Sequence, residues 1–163
     1  MLISQTKRRG ESKTSFMNTE ELYHLLKKEH IHLVYHSLSH SRGMIAHYQD
    51  VTVIVVDPLR VDTNISFHTV LLQELGHYYS GSYYHSYTDD DKLLAAEFLA
   101  DQTAWLRFFP YQEIKQLMNW GLTTVSEIAD YYQVESDYMA RCLHFYYEKS
   151  NGFSLDSLDL VFP

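Results

Sequence analysis

Leu22, Leu25 and Leu26 recur at helical spacing behind a capping residue, Asn18 or Thr19, and two first-turn acids, Glu20 and Glu21. This predicts a first helix ending near His30. The pattern then changes period. Residues 31–35 alternate as a strand does, 39–43 carry turn chemistry, and 44–48 and the β-branched run 51–56 read as two more strands, the last one central. A small three-stranded sheet, antiparallel in part, is the expectation. Asp57-Pro58 ends it.

Helical periodicity returns with Asp62 or Asn64 as the cap of a helix running to about Ser80, where Gly81 stops it. This helix has a Leu72, Leu75, Tyr79 face for the core and a Val70, Gln73, His77 face for chemistry. Gly76 is expected to admit a neighbouring backbone, the sheet edge. A tyrosine-rich loop over 82–87 and the acidic run Asp89, Asp90, Asp91 precede another helix, the aspartates favouring its N-terminal dipole. Pro110 opens a helix to about Trp120, with Gly121 as its stop; Thr124 caps 125–132, and 136–147 is the last helix. The fold class predicted is α+β: one mainly helical domain over 17–163 with a small sheet, preceded by a disordered basic tail over 1–16 carrying Lys7, Arg8, Arg9 and Lys13.

The length of 163 residues suits a single core. A net charge of −8 disfavours non-specific binding to a phosphate backbone. One cysteine, Cys142, precludes an internal disulfide and reads as a buried small hydrophobe. No apolar run reaches the roughly 18 residues of a membrane span, so a soluble cytoplasmic protein is expected. The 14 tyrosines, many in pairs, suit half-buried surfaces. His32, His36, His40 and His47 invite a metal site, but the turn at 39–43 breaks any single strand face.

The candidate chemistry lies in Gln73-Glu74-Leu75-Gly76-His77. In the pattern His-Glu-x-x-His, two imidazoles on one helix face hold zinc and the Glu activates the metal-bound water. Here Gln73 takes the first position, about 40° around the helix from His77. His68 lies about 180° from His77 on the same reckoning and reads as a core or edge histidine. On the next helix Glu97 and Asp101 share an otherwise apolar face, where two carboxylates are costly to bury without a cation or hydrogen-bond donors.

Together, the run 73–79, the run Glu97-Phe98-Leu99-Ala100-Asp101 and the closing Pro110 resemble the ImmA/IrrE family of small metallopeptidases. The resemblance implies a zincin-like active-site helix with zinc as cofactor, Glu74 as catalytic base and His77 and Glu97 as metal ligands. Gln73 becomes a weak or absent ligand, and Asp101 holds His77 through its other ring nitrogen. It also implies a helix-turn-helix repressor of a mobile element, phage or stress response as the protein partner. Tyr83 and Tyr84, just past Gly81, are expected to line the cleft. Three functions follow: a zinc peptidase that tolerates Gln73, a pseudo-peptidase that binds its repressor without cutting it, and a DNA-binding module built on a helix-turn-helix over 123–146. The acidic residues Glu135, Asp137 and Glu148 disfavour the third.

Overall fold

The computed structural model describes residues 17–83 and 89–150. The basic tail expected over 1–16, Tyr84 and the segment after Ser150 lie outside these residues. Asn18, not Thr19, caps α1 (Thr19–Lys28): its side chain accepts the Glu21 N–H at 2.9 Å while Glu21 accepts the Asn18 N–H at 3.0 Å. This reciprocal pairing satisfies two donors that a helix start leaves open. Leu22 and Leu26 are buried beneath it.

The sheet comprises β1 (Ile31–Tyr35), β2 (Gly43–Tyr48) and β3 (Val51–Val56) in the order β1-β3-β2. β1 runs parallel and β2 antiparallel to the central β3, so the sheet is mixed. The register sets Leu33, Ile54 and Ile45 abreast on the face turned to the core, with Val34, Val55 and Met44 abreast on the other. The same alternation divides the histidines. His32 stands across from Val53 and His47 across from Thr52, on opposite faces.

α2 (Asn64–Ser80) begins at Thr63 rather than at Asp62 or Asn64, because Thr63 Oγ1 accepts the Ser66 N–H at 3.0 Å and Ser66 Oγ accepts the Thr63 N–H at 3.2 Å. Gly81, at φ 66, closes it in the left-handed region. The two-face expectation is too simple. Val70, Leu71, Leu72, Leu75, Gly76 and His77 are all buried, so the helix is enclosed on nearly every side. Gly76 faces α3 (Asp90–Phe108): a Cβ there would strike the Ala100 carbonyl oxygen and lie 3.1 Å from the Ala104 Cβ. The close neighbour of Gly76 is therefore a helix backbone and not the sheet edge. The residue that admits the sheet is Gly43, where a Cβ would run into Val70 and lie 2.8 Å from a Glu74 carboxylate oxygen.

Asp89 precedes α3 without making a side-chain capping bond, so the aspartates act there through charge alone. α4 (Tyr111–Asn119), α5 (Val125–Tyr132) and α6 (Ser136–Lys149) complete the order. Aromatic rings join them: Phe109 lies 4.8 Å from Tyr132, Trp105 lies 5.5 Å from Phe145, and the Tyr146 hydroxyl donates to the Phe109 carbonyl at 2.9 Å. Tyr132 and Tyr138 are fully enclosed, so part of the tyrosine content is core. His68 is core as well, its ring nitrogens 3.1 Å from the Gln133 carbonyl and 2.8 Å from the Met17 carbonyl. Burial lowers its pKa. Cys142 is buried and its thiol pKa is pushed up by burial, as an inert hydrophobe requires. The chain is a mainly helical α+β domain. No helix among the described residues is long and apolar enough to cross a membrane.

Candidate functional site

The site gathers where α2 is enclosed by β2 and α3. Helical spacing turns Gln73, Glu74 and His77 toward these neighbours, and α3 brings Glu97 and Asp101 from the other side. His77 is buried. Its Nδ1 lies 3.0 Å from the Ser82 carbonyl oxygen and 3.1 Å from the Ser82 hydroxyl. A carbonyl only accepts, so Nδ1 carries the proton and Nε2 is directed elsewhere. Nε2 lies 3.4 Å from a Glu97 carboxylate oxygen. With Nδ1–H committed to that carbonyl, His77 cannot serve as a base for the Ser82 hydroxyl through the same nitrogen. Burial opposes charge on His77, but the Glu97 hydrogen bond, the Glu74 charge and Ser82 outweigh it and raise the imidazole pKa.

Glu74 is enclosed between α2 and the sheet edge. Burial pushes its pKa up to about 7, against the opposing pull of His77; Glu97 adds to the rise and the Ile45 backbone N–H counters it. The peptide group of Ile45 faces this carboxylate for a reason set by the sheet. On the β3 side the Arg42 carbonyl accepts from the Asp57 N–H at 2.9 Å, so alternate residues Gly43, Ile45 and His47 direct their peptide groups to the open edge.

Asp101 departs from the role implied for it. Instead of holding His77, whose Nδ1 is turned to Ser82, it accepts from Arg141 Nη1 at 2.6 Å. Burial raises its pKa, Arg141 opposes, Glu97 adds and Gln73 lowers it slightly. Of the two acids only Asp101 is buried, the Glu97 side chain being 44% exposed, and the cation that Asp101 required is Arg141 of α6. Nothing in the linear pattern pointed to it, because α6 and α3 meet only in the fold. Ser82 carried one signal that sequence reasoning passed over: a hydroxyl one residue past a helix-ending glycine is poised to meet the last turn.

Tyr83 directly follows Ser82, the residue that pairs with His77. Its ring stacks on His47 at 6.0 Å and 25°, and it is 38% exposed. Tyr84 is outside the described residues.

A catalytic zinc takes three protein ligands and one open position. One imidazole, His77, and one carboxylate, Glu97, are in place. The third position is the neutral carboxamide of Gln73, beside Asp101. Among the described residues, no group of three or more His, Cys, Asp or Glu side chains is arranged to hold a metal ion. With a carboxamide in the first position, the donor set is one ligand short of a zinc site of that kind. Compared with known proteins, the chain matches no family model, no curated protein and no solved structure.

Proposed function

We propose that the chain is a metallopeptidase-like protein of the ImmA/IrrE type that holds an extended segment of a helix-turn-helix repressor, from a mobile element, phage or stress response, without cutting it. One observation carries this reading: Gln73 stands in the first ligand position, so His77 Nε2 and the Glu97 carboxylate, 3.4 Å apart, are the two donors that converge there. Asp101, which lies beside Gln73, accepts instead from Arg141 Nη1 at 2.6 Å. The binding half of a peptidase persists beside them. β2 is an edge strand whose outward peptide groups run past Glu74, and an added strand gains main-chain hydrogen bonds from such an edge. In this reading the protein works in the cytoplasm with its repressor.

The DNA-binding alternative has less support. α6 is a core helix, with Tyr138, Met139, Cys142, Leu143, Phe145 and Tyr146 buried, and its Arg141 is paired with Asp101. Phosphate contacts need free cations on that surface.

Zinc titration and a binding assay test the proposal together. Wild-type protein is expected to bind zinc weakly or not at all, and Gln73→His to tighten binding by more than about 100-fold, since even an indirect partner of a metal ligand is worth 10 to 100-fold. Asp101, beside residue 73, is placed to accept the new ring N–H. The repressor encoded next to the gene should co-elute with the wild-type chain and remain intact by mass spectrometry. Tight zinc binding by the wild type, with cleavage abolished in Glu74→Gln, would replace the proposal with an active zinc peptidase. A shift of duplex DNA by the chain alone would restore the DNA-binding reading.

A further inference from the structure

At one end of the β2 edge two exposed aromatic rings stand together. His47 is the last of the three residues whose peptide groups face outward, and its Nδ1 is 2.8 Å from the Thr52 hydroxyl, which orients the ring. Tyr83 stacks on it. The preceding residue, Ser82, is bonded through its carbonyl and hydroxyl to His77, which anchors the base of the tyrosine. We propose that the His47–Tyr83 stack seats an arginine side chain of the partner segment bound along β2. This rests on the peptide-binding reading above.

Strand geometry supplies the spacing. Ile45, whose N–H meets Glu74, and His47 are two residues apart, about 6.6 Å along the strand. A segment paired with this edge and placing one residue opposite Glu74 therefore brings the side chain two positions along to the ring stack. The chemistry selects arginine. Both rings are planar and offer π faces, and a planar guanidinium stacks flat on such a face more readily than an ammonium, which is compact and strongly hydrated. The chain makes cation–ring contacts internally, and the guanidinium of Arg107, 3.7 Å above the Tyr79 ring, sits closer than the ammonium of Lys149, 4.7 Å above the Phe145 ring. Charge points the same way: the net charge is −8, and the stack adjoins Glu97 through Ser82 and His77. A repressor that binds DNA presents arginine to phosphates and so has such side chains to offer.

The experiment uses the full chain and fluorescent, end-capped eight-residue peptides of Thr, Val and Ala, each with a single Arg, Lys, Phe or Leu at successive positions, read by fluorescence polarisation. Arg peptides should bind about fivefold tighter than Lys or Leu peptides at one register. Tyr83→Ala should remove that preference without changing the melting temperature, and Tyr83→Phe should keep it. Backbone N-methylation of the Arg peptide should abolish binding, since it removes strand pairing and leaves the protein unaltered. If peptides bind but Arg gives no advantage, if Phe binds as tightly, or if Tyr83→Ala keeps the preference, the arginine seat is wrong and the binding edge stands. If N-methylation has no effect, or no peptide binds at all, the edge-strand reading fails and the seat falls with it.

Discussion

Gly43 sits where the sheet edge presses on α2, and the space for a side chain is already taken by Val70 and the Glu74 carboxylate, 2.8 Å from a Cβ built there. Gly43→Ala must push β2 away from α2 or turn Glu74 aside. The expected loss is about 1–3 kcal/mol by chemical denaturation, the usual cost of overpacking a tight contact. Asp57 is a second residue whose role is local and measurable. Its buried carboxylate accepts the Leu38 and Leu59 N–H groups, each at 2.9 Å, and lies 3.4 Å from Arg60 Nε. The Leu38 bond above all holds its pKa below the ordinary value of 3.8, burial opposes, and the Leu59 bond and Arg60 charge assist. A depressed carboxylate pKa contributes stability that is present above the unfolded value and lost as pH falls through the folded one. The stability gap between wild type and Asp57→Asn should therefore be constant above about pH 5 and close below about pH 4, as read by urea melts across pH.

The helices show which element features are encoded locally. Asn18, Thr63 and Thr124 each cap with a partner three residues on, Glu21, Ser66 and Glu127. Two of these starts follow from short-range pattern. The start of α2 was expected one residue off in either direction, because Asp62, Thr63 and Asn64 are all competent caps and only the reciprocal Ser66 bond separates them. At the far end of α5, Gln133 holds φ 54, a left-handed conformation that suits glycine. Its side chain is exposed, and it serves the fold through its carbonyl, which faces His68. Gln133→Gly keeps that carbonyl and relieves the strain, so a gain of roughly 0.5–1 kcal/mol is expected in thermal or chemical unfolding. A loss would mean that the glutamine side chain contributes more than its exposure indicates.

Across the whole molecule, the sheet is tied to the helices by a fork. Arg42 donates through both terminal nitrogens to the Glu135 carboxylate, and the Glu135 N–H donates to Thr69 Oγ1 at 2.9 Å. One residue before Gly43, this fixes the start of the edge strand against the α5–α6 turn and α2. Both side chains are about a third exposed, so water and salt screen the pair. A double-mutant cycle with Arg42→Ala and Glu135→Ala should give a coupling of about 1 kcal/mol at low salt that shrinks at 1 M salt. Absence of coupling would show that β2 is held by its contact with α2 alone.

The sequence by itself determined the element order, the mixed small sheet with 51–56 at its centre, and the face shared by Gln73 and His77. Each of these follows from period, capping and helical geometry, which act over a few residues. It also exposed the need of Asp101 for a donor, since a buried carboxylate demands one, whereas the Glu97 side chain is 44% exposed. What only the tertiary structure decided was the identity of partners distant in the chain. Arg141 answers Asp101 across 40 residues, His77 Nδ1 turns to Ser82, and Gly43, not Gly76, yields to the sheet edge. Strand pairing and helix packing set those meetings, and no local preference specifies which of several arginines or glycines will arrive at a given contact.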